Sequence, residues 1–139
     1  MEVEISLKAL IRNKQGQYLI LKRAKPYPGE TDCRWDAPGG RLIPGELMPL
    51  ALAREIKEET GMRMRSEPKV INVQDIMRVA GKHTIRIAFE SEVEAEADKG
   101  IKLDPNEHSE YKWLDLDDAL TTYHDMYLTP VLKKLKERS

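Results

Sequence analysis

The sequence predicts an α/β fold in which a β-sheet is covered by helices on both faces. Three observations predict it: a pair of strands opens the chain, a helical segment separates them from later strands, and two further helical segments follow. Interleaved strands and helices bury both faces of a sheet. The 139 residues have the length of one ordinary domain, so we expect a single domain over residues 1–139.

Two strands are predicted at the start of the chain. Apolar residues alternate with mostly polar neighbours from Val3 to Ile11, as in a half-buried strand. Asn13 to Gln17 is a predicted turn, in which Gly16 supplies the flexible position. The apolar run from Tyr18 to Leu21 then pairs back as a second strand, and the segment from Ala24 to Arg34, rich in Pro and Gly, is a loop.

Two more strands are predicted beyond the first helical segment. Val70 to Val79 is strand-like, and a turn follows at residues 80–82. Thr84 to Ala95 is a clear strand, because its apolar and charged residues alternate between the two faces. The polar stretch from Glu96 to His108 is a predicted loop.

Three segments carry helical signals. Pro49 to Thr60 is the first, with Pro in the opening turn and Gly61 as a C-terminal stop. A short helix is predicted behind Asp115, which can cap it, and runs through Thr122. Thr129 opens the last helix, in which apolar residues fall at core spacing.

The composition excludes several classes of protein. Hydrophobic residues make up 40% of the chain, enough for a compact core, and no stretch approaches the ~20 apolar residues that span a bilayer. The N-terminus, MEVEISLKAL, is acidic and alternating, unlike a signal peptide. We therefore expect a soluble, cytoplasmic protein. A net charge of −1 gives no global attraction to nucleic acid or membrane, and the single cysteine, Cys33, excludes an intrachain disulfide.

The first helix presents three carboxylates together. Glu55, Glu58 and Glu59 have the i, i+3, i+4 spacing of one helical face. The opposite face is predicted to pack on the sheet through Leu50, Ala53, Ile56 and Thr60. A solvated acidic face is the plain alternative, since like-charge pairs at this spacing cost only ~0.2–0.5 kcal/mol.

The wider segment from Gly40 to Met62, GRLIPGELMPLALAREIKEETGM, resembles the Nudix box. That pattern is G, five residues, E, seven residues, R-E-U-x-E-E-x-G-U, where U is aliphatic. At residue frequencies of roughly 6%, seven fixed matches arise by chance about once in 10⁸ to 10⁹ starts. The seven fixed positions are filled here by Gly40, Glu46, Arg54, Glu55, Glu58, Glu59 and Gly61.

This resemblance implies the Nudix fold, an α/β/α sandwich with a mixed β-sheet, because the flanking order of strands and helices is also similar to the family. One mild departure is Leu47, where relatives often carry Ser or Thr as the helix cap. Leu47 weakens the start of the helix but removes no chemical group.

The resemblance also implies a divalent metal, Mg²⁺ with Mn²⁺ as a substitute, which suits clustered carboxylates. Glu58 and Glu59 are then the principal ligands, Glu55 is a ligand or the general base, and Gly40 lends its backbone carbonyl.

Arg54 and the glycines have supporting roles in this scheme. Arg54 can fork onto a carboxylate, so it orients Glu55 or pairs with Glu46. A tight turn at Pro38, Gly39 and Gly40 lets metal and substrate phosphate approach the backbone.

Four residues outside the box are weaker candidates. Glu107 lies six residues before Trp113, where many family members place a metal-binding or basic glutamate; the alternative is a solvated loop residue. Its neighbour His108 is predicted to be a surface histidine. Arg23 ends the second strand, where relatives often bind substrate phosphate, with ordinary surface charge as the alternative. Trp35 could stack on a base, but a core tryptophan is the preferred interpretation.

The function implied is a metal-dependent pyrophosphohydrolase that acts on a small nucleotide, most simply a (d)NTP that gives NMP and pyrophosphate. Alternatives are an ADP-ribose or nucleotide-sugar pyrophosphatase, a Nudix-fold module that senses a nucleotide without cutting it, and an enzyme that removes RNA 5′ ends. The complete glutamate set argues against sensing, and the lack of a basic surplus argues against nucleic acid. Markers associated with ADP-ribose, dinucleoside polyphosphates and coenzyme A are missing. Homodimers are common in the family, so a homodimer is possible here.

Overall fold

The computed structural model describes residues 1–94 and 100–138, which form strands and helices in mixed order. The strands are β1 (Glu2–Arg12), β2 (Tyr18–Arg23), β3 (Trp35–Asp36), β4 (Gly39–Arg41), β5 (Lys69–Ile76), β6 (Lys82–Glu92) and β7 (His108–Leu114). The helices are α1 (Met48–Thr60), α2 (Leu116–Thr121) and α3 (Thr129–Arg138).

The strands form one mixed sheet, as predicted. Its order is β3-β2-β1-β6-β5, with β4 also paired to β1 and β7 to β2. β1 and β6 run parallel over their whole length, whereas the other pairs are antiparallel. β1 therefore lies in the interior of the sheet, between β2 and β6. Its two faces are covered by the helices that pack on either side of the sheet.

Two apolar clusters lie on opposite faces of the sheet and confirm the α/β/α sandwich. On one face, α1 packs through Leu52 and Ile56 against residues of β1 and β2 that include Leu7 and Leu19. On the other face, α2 and α3 pack against Leu10 and its neighbours. No helix in the described part of the chain is long and apolar enough to cross a bilayer.

The predicted turn between the first two strands is confirmed. The Asn13 side-chain oxygen accepts hydrogen bonds from the backbone N–H groups of Gln15 and Gln17, at 3.1 and 2.8 Å. Gly16 takes the left-handed conformation, with φ of +77°. A short polar side chain and a glycine therefore close the hairpin, as their turn chemistry requires.

Helix α1 begins and ends close to its predicted limits. Leu47 provides no side-chain cap, and Pro49 occupies the first turn. Gly61 ends the helix with φ of +78°, and its N–H donates to the carbonyl of Lys57. The missing cap leaves the helix to be held by packing of its buried face and by Arg54, described below.

The predicted packing face of α1 was partly wrong. Leu50 is 64% exposed, and the buried positions are instead Ala51, Leu52, Ile56 and Thr60, with Glu59 at their edge. The buried stripe is thus rotated toward Leu52, because the sheet contacts the helix through the i, i+4 pair of Leu52 and Ile56. This rotation brings Glu59 into the protein.

Three predicted boundaries also differ. The tight turn expected at Pro38, Gly39 and Gly40 is only a bend at Pro38, and the two glycines with Arg41 form β4 beside β1. The strand predicted over Val70–Val79 ends at Ile76. The predicted loop Glu96–His108 overlaps β7, which the sequence did not indicate and which begins at His108. Residues 95–99 lie outside the described residues.

Candidate active site

Glu59 is the most enclosed carboxylate of the box. It is only 7% exposed, and its Oε1 accepts a hydrogen bond of 2.7 Å from the backbone N–H of Gly39 on β4. Burial raises the pKa of Glu59 to about 7, while the Lys8 ammonium and the Gly39 N–H act in the opposite direction. The helix and the short strand are therefore joined at this carboxylate.

Glu55 lies one helical turn earlier and faces Gly40. A β-carbon built on Gly40 would stand 2.5 Å from Oε2 of Glu55, so a larger residue here would displace this carboxylate. Burial also raises the pKa of Glu55, although its ion pair with Arg54 offsets part of the effect. The backbone of Gly40 and the Glu55 carboxylate thus lie side by side, as the box resemblance implies for a metal site.

Gly39 is required for a different reason. Its φ of +155° and its pairing with Lys8 press it against β1, where an added β-carbon would overlap the carbonyl group of Leu7. The close approach lets the Gly39 N–H reach Glu59. The glycine pair therefore sets the distance between β1, β4 and α1.

Arg54 ties three box glutamates together. Its Nε and Nη2 donate to the two carboxylate oxygens of Glu46 at 2.8 and 3.0 Å, in the fork geometry of a guanidinium. Its Nη1 donates to Glu55 at 2.9 Å and to Glu58 at 3.2 Å. The two predicted alternatives, orienting Glu55 and pairing with Glu46, occur together.

Glu58 is the exposed member of the cluster, with 59% of its side chain accessible. Its ion pair with Arg54 is an i, i+4 contact on the helix surface. The three helix carboxylates therefore range from exposed to buried, and only Glu59 is deeply enclosed.

Glu107 and His108 bring a second segment to the same place. Ligand atoms of Glu59, Glu107 and His108 all lie within 4.8 Å of one another. Glu107 lies in an exposed turn, and its carboxylate approaches Glu59 from the solvent side. The structure thus places this glutamate beside the box, while its catalytic role stays a prediction.

The prediction that His108 is a surface histidine was wrong. Its side chain is only 13% exposed, and its Nδ1 lies 3.6 Å from Oε2 of Glu59. Burial lowers the pKa of His108, with the neighbouring Lys8 adding to the effect. In the sequence, only its position next to Glu107 pointed to a role for His108. Its spacing from the other candidate ligands gave no indication of a shared site.

Arg23 lies next to this segment. It pairs in register with His108 across β2 and β7, and the Ala24 N–H donates to the carbonyl of Glu107. Its guanidinium carbon stands 4.0 Å from the centre of the Tyr27 ring, a cation–π contact. The Arg23 backbone thus lies beside the segment that carries Glu107 and His108, and its phosphate contact stays a prediction.

A buried ion pair beneath the site was missed by sequence reasoning. Lys8 Nζ lies 3.1 Å from Asp36 Oδ2 and donates to the carbonyl of Ala37 at 3.0 Å. Lys8 alternates with the apolar residues of β1, which is the pattern of a solvent-facing position. It is largely buried because both faces of β1 are covered.

Trp35, beside Asp36, is 6% exposed and belongs to the core. This agrees with the interpretation preferred from the sequence, a core tryptophan.

The arrangement fits a divalent cation. Glu55, Glu58 and Glu59 lie on α1, Glu107 approaches Glu59 from the turn before β7, and Arg54 is engaged mainly by Glu46. Gly40 lies directly beside the Glu55 carboxylate. Hard divalent cations prefer such oxygen donors, so the residues present match the group that the box implies.

Comparison with known proteins gives the same family over most of the chain. The family model described as NUDIX domain matches residues 4–135. A putative 8-oxo-dGTP diphosphatase of Bacillus subtilis is 41% identical over 61 residues, 44% of this chain and 37% of that protein. The 8-oxo-dGDP phosphatase of Homo sapiens is 38% identical over 61 residues, 42% of this chain and 17% of that protein. These two alignments span less than half of each relative.

Solved structures agree over nearly the full length. The MutT protein of Methanosarcina mazei Go1 has a TM-score of 0.80 and 31% identity, with 99% of this chain and 95% of that chain covered. A MutT NUDIX hydrolase of Burkholderia pseudomallei has a TM-score of 0.81 and 22% identity, covering 97% of this chain and 99% of that one. The second likeness supports the fold alone.

Proposed function

The chain belongs to the Nudix hydrolase family, and we propose on this premise that it hydrolyses nucleoside triphosphates to nucleoside monophosphates and pyrophosphate. One observation carries the proposal: Arg54 holds Glu46, Glu55 and Glu58 together beside the Gly39–Gly40 backbone, with Glu59 beneath. Clustered carboxylates of this kind can hold a cation next to a diphosphate. The anionic oxygens of a diphosphate repel an attacking water unless their charge is neutralised.

Glu55, Glu58 and Glu59, with the carbonyl of Gly40, would hold Mg²⁺, and Mn²⁺ would substitute. The ion, when bound, supplies positive charge at the diphosphate oxygens and makes water more acidic. The surrounding residues keep the ligands apart and oriented, since Gly39 fixes Glu59 and Arg54 fixes Glu55. A site held in this way is organised before the substrate arrives.

Glu55 is the proposed proton acceptor. The attacking water gives its proton to a carboxylate while its oxygen forms a new bond to phosphorus, and the bridging P–O bond breaks to release pyrophosphate. Arg54 orients Glu55 through a hydrogen bond of 2.9 Å, and burial makes the carboxylate more basic. Glu107, across the site, is the alternative acceptor.

The proposed preference for triphosphates depends on Arg23, a positively charged side chain beside the site. Arg23 has no carboxylate partner among the described contacts, and it stacks on Tyr27 next to the Glu107 turn. A triphosphate carries more negative charge than a diphosphate ester, so it gains more from this guanidinium. The names of the diphosphatase relatives are consistent with this preference.

The test is a screen of nucleoside triphosphates, ADP-ribose and nucleotide sugars with Mg²⁺, in which released phosphate and pyrophosphate are measured. We expect turnover of a triphosphate that stops in excess EDTA, and tenfold or greater losses in Glu58→Gln and Glu59→Gln. Glu67→Gln, an exposed glutamate outside the cluster, is the matched control and keeps wild-type rates.

Two results would contradict the proposal at different levels. Turnover that persists in excess EDTA would remove the metal site from the mechanism. A kcat/KM for ADP-ribose well above that of every triphosphate would overturn the substrate class alone, because the metal-site argument depends on the box and not on Arg23.

A further inference from the structure

The Nδ1 atom of His108 is buried without a hydrogen-bond partner. The nearest charged atom is Oε2 of Glu59, at 3.6 Å, which is too long for a hydrogen bond. A buried polar atom without a partner destabilises the fold, because it loses its hydrogen bonds to water and gains none in return. At this distance no group fits on the line between the two atoms, but a cation to one side of that line can be bound by both.

The spacing of the neighbouring ligand atoms matches a shared cation. The carboxylate oxygens of Glu59 and Glu107 and the ring nitrogen of His108 lie within 4.8 Å of one another. Two ligands at right angles on an ion about 2.1 Å away are about 3.0 Å apart, and two opposite ligands are about 4.2 Å apart. The separation of 3.6 Å between Glu59 and His108 falls between these limits.

The backbone holds these three side chains in place. The N–H groups of Glu107 and His108 both donate to the carbonyl of Asp104, at 3.0 and 2.9 Å, and the Glu107 carbonyl accepts from Ala24 on the other side. Glu59 is fixed by Gly39. Ligands from two separate segments are therefore positioned by backbone contacts that need no metal.

We propose that His108 donates the lone pair of its Nδ1 to a divalent cation that it shares with Glu59 and Glu107. The proposal refines the metal site of the proposed function and rests on it. Mn²⁺ shares the preference of Mg²⁺ for carboxylates, carbonyls and water, but as a transition ion it accepts an imidazole more readily than Mg²⁺ does. The mixed oxygen and nitrogen site therefore favours Mn²⁺ over Mg²⁺, which an all-oxygen box would not do to the same extent.

Pulsed electron paramagnetic resonance on the Mn²⁺-loaded protein tests this directly, because a coordinated imidazole gives a characteristic ¹⁴N coupling. The chain has three histidines, so the source can be assigned with His108→Gln. His83→Gln is the matched control, since His83 pairs with Asp75 at the opposite edge of the sheet. We expect the coupling in wild type and His83→Gln, and its loss in His108→Gln.

Calorimetric titration gives a second readout that does not depend on catalysis. We expect His108→Gln to lose tenfold or more in Mn²⁺ affinity, a loss typical of a perturbed metal site, and to change little in Mg²⁺ affinity. Equal losses for both ions would contradict the proposal. The wild-type spectrum is informative even if the variant folds poorly, which circular dichroism would show.

The failures of the two proposals are distinguishable. If Mn²⁺ binds and supports nucleotide hydrolysis but shows no ¹⁴N coupling in wild type, or if the coupling survives in His108→Gln, the histidine ligand is excluded and the hydrolase proposal stands. If no Mn²⁺ binds and no nucleotide is hydrolysed with any divalent ion, both are overturned.

Discussion

Replacing Arg54 by lysine separates the shape of this residue from its charge. The guanidinium makes two bonds to Glu46 and one each to Glu55 and Glu58, from three nitrogen atoms that point in different directions. A lysine ammonium carries its charge on one nitrogen atom and lacks the planar fork of the guanidinium. It can satisfy Glu46 or approach the helix carboxylates, but it cannot reproduce the fork.

The expected loss follows from the contact to Glu55. A hydrogen bond to a charged group contributes about 1.5–3 kcal/mol net, and Arg54 is 27% exposed, so the lower end applies. Loss of one such bond to a positioned carboxylate corresponds to a tenfold slower turnover, at about 1.4 kcal/mol per tenfold. A similar free energy lost from folding would lower Tm by roughly 3–5 °C.

Steady-state kinetics on Arg54→Lys, with a melting curve, would measure both effects. We expect kcat to fall tenfold or more with KM changed much less, because Arg54 contacts carboxylates and not the expected substrate path. Arg65→Lys is the matched control, since Arg65 pairs with Glu92 away from the site. Normal kcat in Arg54→Lys would refute the argument that guanidinium geometry orients the base.

Two further predictions concern fit and charge. Gly40→Ala should weaken Mg²⁺ binding tenfold or more by calorimetry, because its β-carbon displaces the Glu55 carboxylate, whereas Gly100→Ala has open space and should not. Unchanged affinity in Gly40→Ala would contradict the close approach. For Asp125, burial raises the pKa, but Arg78 outweighs it and the pKa falls from 3.8 to about 2. This ion pair stabilises the fold above pH ~4, and about 2 kcal/mol is lost as pH falls to 2. Chemical denaturation should show the stability gap between wild type and Asp125→Asn closing over that range, and a constant gap would contradict it.

Elements with a strong local pattern were predicted well. The hairpin at Asn13–Gln17 depends on one polar side chain and one glycine, and both act within five residues. Helix α1 ends at Gly61, which takes a conformation that other residues avoid. Such signals are contained in a short stretch of chain, so the sequence alone is sufficient to identify them.

β7 was missed because it carries little local signal. Most of its central residues, from Ser109 to Lys112, are exposed, and it is held by backbone pairing with β2 and not by an apolar face. Hydrophobic periodicity cannot detect a strand of this kind. The same omission left Glu107 and His108 in a predicted loop without a fixed position.

The residues of the site likewise fall into a local group that could be predicted and a distant group that could not. Gly40, Arg54, Glu55, Glu58 and Glu59 lie within one box, so their adjacency was predictable from helical spacing and resemblance. The partners that complete it are distant in sequence: Lys8 is on β1, and His108 pairs with β2.

Charge balance explains why those distant partners are needed. Glu46 is engaged by Arg54, and Lys8 is engaged by Asp36, so neither cation is free to neutralise Glu59 and Glu107 fully. Two carboxylates held within 4.8 Å of each other repel in a partly buried site unless a positive group lies between them. His108 lies with them, but burial lowers its pKa and so disfavours the charged ring. A fold that brings Glu59 and Glu107 together, and commits Arg54 and Lys8 mainly to other carboxylates, therefore favours binding of a cation from solution.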